Sequence, residues 1–336
     1  MKNKNSNASC ASRVYARFRL LPSAFCLLLI ALLVLAAALF IGPVSLFTYH
    51  WGDPTLHIIL KLRALRVATA FTVGAGLATS GVIMQAVMRN PLAEPYILGV
   101  SSGGGLGAAL LIATGFSLHL PFAIPLAAFV AALLTLGLVY LLASSKGPPN
   151  TYDLLLCGIA VSALCSSLLM LLVSISHTQH LQGILWWMLG NMQNTDLRVL
   201  LPAASAIVLS LAAAILLSRD LNALTLGREM AHHLGVNTRQ SITLALVTAT
   251  LAAAAAVGLS GLIGFVGLVA PHAVRKLIGP DHRLLLPASA LAGGTFLVFC
   301  DLLSRTALLN REIPVGVITA LIGAPCFLLI LRKAKS

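Results

Sequence analysis

Charge is scarce in this sequence, and acid scarcest: of 336 residues 9% are charged, and Asp and Glu together number 9. A water-soluble domain carries about 25% charged residues, so the shortage excludes one. No strand-period alternation and no amphipathic repeat of about ten residues occurs, which excludes a β-barrel. The six cysteines form no CxxC pair and mostly lie in apolar runs, where Cys acts as a small hydrophobe rather than a disulfide or zinc ligand. There is no G-x-x-x-x-G-K-[ST] loop to cradle a nucleotide and no H-E-x-x-H zinc motif. The centres of the apolar runs also lack Asp, Glu, Lys and Arg, the groups by which ion-coupled carriers build an ion path.

Apolar residues are what is present: 59% of the chain, with a mean hydropathy of +0.97. At about 20 residues per membrane-spanning helix, the length suffices for about ten spans and leaves little for any other domain. Apolar windows between charges and Gly/Pro punctuation predict spans near 22–47, 66–88, 96–115, 121–143, 154–175, 199–218, 241–259, 262–278, 284–303 and 313–331. The fold class is therefore an all-α, polytopic membrane protein. Residues 1–21 form a basic N-terminal tail, 22–331 the transmembrane domain and 332–336 a short C-terminal tail. The run after Arg19 is longer than the core of a signal peptide and reads as an uncleaved first span.

The net charge of +13 sits in short clusters between apolar runs, such as Arg13/Arg17/Arg19, Arg275/Lys276/Arg283 and Arg332/Lys333/Lys335. That placement orients a membrane protein and argues against nucleic acid as a partner. Threaded from an inside N-terminus, the inside segments hold sixteen of the 22 Lys and Arg residues. This asymmetry predicts cytoplasmic termini and a cytoplasmic loop at 218–241. Trp51, Trp186 and Trp187 all fall in outside segments at span ends, the headgroup layer that indoles prefer.

Two stretches, 76–110 and 257–282, are dense in Gly and Pro and suit close backbone approach or broken helices. They occupy corresponding places in two five-span halves, which points to inverted-repeat-like halves. Their small and polar residues place a transport path along the second, third, fifth and eighth spans, with Gln85, Asn90, Pro91, Ser101 and Ser102 near it. His177/His180 and His232/His233 are loop pairs without a matching acid or Cys set, and His272 follows Pro271 within a span. They read as polar loop or helix-packing residues, so no catalytic residue and no metal site is nominated. The 218–241 loop carries E-x-A-x-x-x-G as Glu229, Ala231 and Gly235, with an apolar stripe of Leu224, Leu226, Met230 and Leu234. Such a helix suits either a partner's groove or the lipid headgroups.

Five motifs in order resemble those of the FecCD family of permeases, which import iron-siderophores, haem and cobalamin in ATP-binding-cassette transporters. They are R-A-L-R (63–66), SGVIMQAVMRNPLAEPYILGVSSGGGLGA (80–108), E-M-A-H-H-L-G (229–235), GLIGFVGLVAPHAVR (261–275) and EIPVGVITALIGAPCFLLIL (312–331). Leu65 and Leu262 stand where the family usually has Pro, and Gly104 where Ala is common. The resemblance implies a homodimer in a bacterial inner membrane with one path at the dimer interface. It implies two ATPase subunits that use ATP and Mg, while this chain binds no cofactor, and a periplasmic or extracellular substrate-binding protein. It makes the 218–241 loop a coupling helix, with Leu224, Leu226, Arg228, Glu229, Ala231 and Gly235 toward the ATPase. Arg63, Arg66 and Arg305 are expected to dock the binding protein. The other reading is a secondary carrier or channel working without an ATPase.

Overall fold

The computed structural model describes residues 23–44, 53–115, 122–145, 150–192, 196–308 and 311–334. The basic tail 1–21, Trp51, Lys146 and Lys335 lie outside the described residues. Among the described residues there is no strand. The helices are α1 (Ser23–Phe40), α2 (Pro54–Val87), α3 (Val100–Ala113), α4 (Ala123–Ala143), α5 (Thr151–Ile175), α6 (Thr178–Met188), α7 (Leu197–Leu216), α8 (Ser218–Thr225), α9 (Arg228–His233), α10 (Thr238–Ser260), α11 (Val266–Ile278), α12 (His282–Thr306) and α13 (Val315–Ala334).

A helix stands at each of the ten expected spans, and 7 are long and apolar enough to cross a membrane. Polar caps set where they start. Asp53, Asn150, Asp196, Asn237 and Asp281 each accept a backbone N–H from the first turn of α2, α5, α7, α10 and α12. Asp53 is followed by Pro54 at the first helical position, where proline's fixed φ fits and its missing N–H costs nothing. α2 thus begins twelve residues before the expected 66, because Lys61, Arg63 and Arg66 interrupt the apolar window without interrupting the helix. α6 was not expected; its His177, Gln179, His180 and Gln182 hide an 11-residue helix from a hydropathy reading.

α2 is the central strut. It buries 83% of its most apolar stretch and α10 buries 72%, whereas α5 and α7 bury 22% and leave large apolar side chains outward for lipid. α2 packs on α11 and α12, and α10 packs on α3 and α4; α3 packs on α4 and α5, and α11 on α12 and α13. These contacts pair off between helices five spans apart: α2 with α11 and α12 matches α10 with α3 and α4, and α3 with α4 and α5 matches α11 with α12 and α13. α2 and α10 run in opposite directions, since Arg89, just past the C-terminal end of α2, lies beside Gly227 between α8 and α9, and Ser241 near the N-terminal end of α10 bonds Asp220 of α8. This is the inverted repeat.

Glycines let the strut approach its neighbours backbone to backbone. A Cβ on Gly74 would stand 2.2 Å from the Gly293 carbonyl oxygen of α12, and one on Gly81 would stand 2.0 Å from the Gly267 oxygen of α11. α3 and α11, of 14 and 13 residues, are too short to cross a bilayer alone. Each starts at a residue in the left-handed region, Gly99 at φ 82° and Phe265 at φ 68°. Each follows a non-α-helical segment, 88–99 before α3 and 261–265 before α11.

Candidate functional site

At one end of the bundle, α8 and α9 form a two-helix shelf bolted to it by polar side chains. The Asn222 carbonyl oxygen accepts the His282 backbone N–H (3.0 Å) and lies 2.6 Å from His282 Nδ1. An amide oxygen only accepts, so Nδ1 carries the proton. The Asn222 amide donates to Asp281 Oδ1 (2.8 Å). That bond holds the Asp281 carboxyl below the usual carboxylate range. On the other side Ser241 donates to Asp220 (2.6 Å).

Leu221, Leu224 and Ala231 are buried against the bundle, whereas Leu226, Met230 and Leu234 are 63%, 52% and 60% exposed. The expected stripe is thus divided: Leu224 anchors, while Leu226, Met230 and Leu234 present an apolar row outward; Ala231, expected to face the ATPase, anchors as well. Arg228 and Glu229 open α9, where Glu229 favours the helix N-terminus. Gly227 (φ 113°) separates the two helices and Gly235 (φ 83°) ends the second. The Gly235 and Val236 N–H groups return to the His232 and Ala231 carbonyls, a Schellman cap that requires the left-handed residue.

The turn after α2 abuts this shelf, with Arg89 (φ 51°) beside Gly227. Asn90 accepts the Leu92 N–H (2.9 Å) in an Asx turn, and Asn90 and Pro91 are exposed. Ser101 is half-buried, and Ser102 donates to the Gly99 carbonyl (3.2 Å). Gln85 lies apart from these. It is 4% exposed, donating to the Gly267 carbonyl (3.2 Å) and accepting from Arg275 (2.8 Å). Its amide ties α11 to α2 inside the protein. From Val67 to Val87 α2 is mostly core. An apolar groove of about 600 Å³ runs instead along α13, lined by Leu189, Leu262, Gly316, Ala320, Leu321 and Ala324 among others.

Glu94 and Tyr96, which no spacing rule singled out, join the two broken segments. The Phe265 N–H donates to Glu94 Oε1 (3.1 Å); Tyr96 donates its hydroxyl to the Ile263 carbonyl (2.6 Å) and accepts the Ile263 N–H (3.1 Å).

At the opposite end the three expected docking arginines turn inward. Arg63 and Arg305 are 6% and 4% exposed. Arg63 donates to the Leu39 (3.2 Å), Phe40 (2.9 Å) and Val44 carbonyls, and Arg305 to the Ala38 carbonyl. They thereby satisfy the orphan carbonyls at the C-terminus of α1. Arg66 donates to Asp301 (2.8 Å) and to both Glu312 oxygens (3.1 Å), and Arg305 Nε adds a 3.6 Å ionic contact to Asp301. The same three arginines line an open cavity of about 370 Å³ with Glu312 and Met192. No group of three His, Cys, Asp or Glu side chains able to hold a metal occurs among the described residues.

Paired, interrupted helices, seven of them long and apolar enough to cross a membrane, with a shelf at one end are the architecture of a transport permease. Residues 24–333 match the FecCD transport family, and the chain belongs to it. It is 42% identical over 320 residues to the hemin transport system permease protein HmuU of Yersinia pestis, covering 93% of this chain and 95% of that one. It is 41% identical over 282 residues to the cobalamin import system permease protein BtuC of Halobacterium salinarum, covering 83% and 74%. Among solved structures, a metal-chelate type ABC transporter in an inward-facing conformation superposes with a TM-score of 0.85 at 36% identity, covering 92% of this chain and 98% of that one.

Proposed function

We propose that this chain is the membrane-embedded subunit of an ATP-driven importer of a metal chelate of the haem, cobalamin or iron-siderophore class. The observation that carries this is the exposed row Leu226, Met230 and Leu234, held on an anchored shelf of a chain without a nucleotide loop. A partner that supplies ATP hydrolysis with Mg must press on the permease somewhere, and an apolar row fixed by hydrogen bonds transmits force where a loose loop does not. The names of the relatives support the substrate class. A secondary carrier working alone has no use for the shelf.

Two copies facing each other across α13 and α5 would close the 600 Å³ groove into a channel suited to a large, mostly apolar ring system, with Ser101 and Ser102 as its polar contacts and Asn90 and Pro91 at its cytoplasmic mouth. The shelf and both termini are cytoplasmic in this reading, and the inner membrane holds the protein. The opposite end receives the substrate-binding protein. Arg66 and the partly exposed Glu312 at the cavity mouth offer that partner an exchangeable ion pair. Reconstitution with the ATPase and binding protein in proteoliposomes tests this: ATP-dependent accumulation of hemin, cobalamin or a ferric siderophore is expected, and uptake of all three at the rate without ATP would refute it.

A further inference from the structure

The two segments that interrupt α3 and α11 are hydrogen-bonded to one another inside the span. From Arg66 to Gln85 the central helix rises roughly 28 Å, about one hydrocarbon thickness. Charged groups mark both levels, Asp301 at one and Arg275 at the other. Gly267, at the start of α11, meets Leu77 and Gly81, which lie about 12 and 6 Å along α2 from Gln85. Phe265 and Ile263 therefore stand within the layer, where water is not at hand to satisfy a free N–H.

Glu94 and Tyr96 supply those partners. The carboxylate takes the Phe265 N–H at the first turn of α11, and the tyrosine hydroxyl both accepts from and donates to Ile263. Phe265 holds a left-handed backbone at φ 68°, a strained state for a residue with a Cβ that persists only where its surroundings over-determine it. The Glu94 bond holds Phe265 itself, the two Tyr96 bonds hold Ile263 two residues before it, and Gly323 of α13 leaves room for the Phe265 ring. On one side the turn continues through Asn90 to Arg89, beside Gly227 of the shelf. On the other, Leu262 abuts Gly190 and Gly316, whose segments are joined by the Val315 N–H to the Gly190 carbonyl (3.2 Å), while the Asn191 N–H ties the first of them to the Ser260 carbonyl at the end of α10 (2.8 Å).

We infer that Glu94 and Tyr96 are positioning residues of transport, clamping the break of the second half to the turn of the first so that both move as one body. Movement of the shelf then reaches the far end through bonded backbone rather than through sliding helices. The inference rests on the importer reading, and it makes the Glu94 oxygen, not its charge, the working part.

The test uses the whole complex in proteoliposomes with hemin as the probe. Glu94→Ala and Tyr96→Phe are expected to lower uptake per ATP hydrolysed by about tenfold, the scale of one or two hydrogen bonds, with ATP hydrolysis and complex yield retained. Glu94→Gln keeps an acceptor for Phe265 and is expected to restore most uptake. Amide exchange, read without transport, is expected to speed up at Phe265 in Glu94→Ala and at Ile263 in Tyr96→Phe, while α10 stays protected. Wild-type uptake in Glu94→Ala, Glu94→Gln as impaired as Glu94→Ala, or unchanged exchange at Phe265 would each overturn the inference. If the wild-type complex moves neither hemin, cobalamin nor a siderophore, the importer reading fails instead, and the exchange result still decides the clamp.

Discussion

Each of the nine acids in this chain has an assignable place. Asp53, Asp196 and Asp281 cap helices, Asp153, Asp220 and Glu229 sit in first turns, Glu94 holds the break, and Asp301 and Glu312 neutralise Arg66. Scarcity makes each one costly to lose, and burial ranks the costs. The Asp301 side chain is 0% exposed and faces two guanidinium groups, while that of Glu312 is 30% exposed. Asp301→Asn is expected to destabilise the detergent-solubilised protein by about 3 kcal/mol, because a buried cation pair is left undercompensated. Glu312→Gln is expected to cost under about 1 kcal/mol, as exposed pairs do. Thermal unfolding of the two variants checks the ranking, which fails if Glu312→Gln is the more damaging. The sequence displayed these arginines but not their partners. Arg63 and Arg305 read as outward-facing because nothing in a one-dimensional window shows that the last carbonyls of α1 lie beside them.

At the scale of the element, the shelf was legible as a loop with an apolar stripe, but its division into an inner and an outer face was not. Leu224 and Leu226, two positions apart, point about 200° apart around α8, and the break at Gly227 resets the register for Met230 and Leu234 of the next helix. Leu226→Asp, Met230→Asp and Leu234→Asp are expected to weaken co-purification of the ATPase and abolish uptake, since a carboxylate does not enter an apolar groove without losing its hydration. The permease's own melting temperature is expected to hold, because those side chains are exposed. Leu224→Asp, placed where Leu224 is 3% exposed, is expected to lower it sharply. Equal behaviour of the two classes would contradict the division. The anchor itself is insensitive to ordinary pH: with its pKa depressed, Asp281 contributes stability that is present above the unfolded carboxylate pKa of about 3.9 and fades as pH falls through the lower folded value.

For the whole molecule, hydropathy sufficed to find a helix at each of the ten apolar windows because lipid-facing residues must be apolar whatever the packing. The inverted repeat was visible as Gly/Pro density at 76–110 and 257–282, since broken helices need those residues. The clamp between the breaks was not visible, because Glu94 and Tyr96 reach partners over 160 residues away in sequence. The orientation rests on the distribution of basic residues. Single cysteines labelled on intact cells with a membrane-impermeant reagent are expected to react at Gln182 and not at Met230 or His233. The reverse pattern would invert the protein.

The grip of Arg63 and Arg305 on the last carbonyls of α1 has a consequence for biogenesis. α1 is apolar enough to enter the bilayer as soon as it leaves the ribosome, with a hydropathy of 2.9, and it packs poorly, with 11% of it buried. Its end is finished by a residue 267 positions later. At about 5–20 residues per second, the first helix waits roughly 13 to 53 s beside the translocon with part of its C-terminal backbone unsatisfied. Every chain that terminates before Arg305 therefore carries an incompletely capped first helix, a lesion at its beginning that reports a loss at its end.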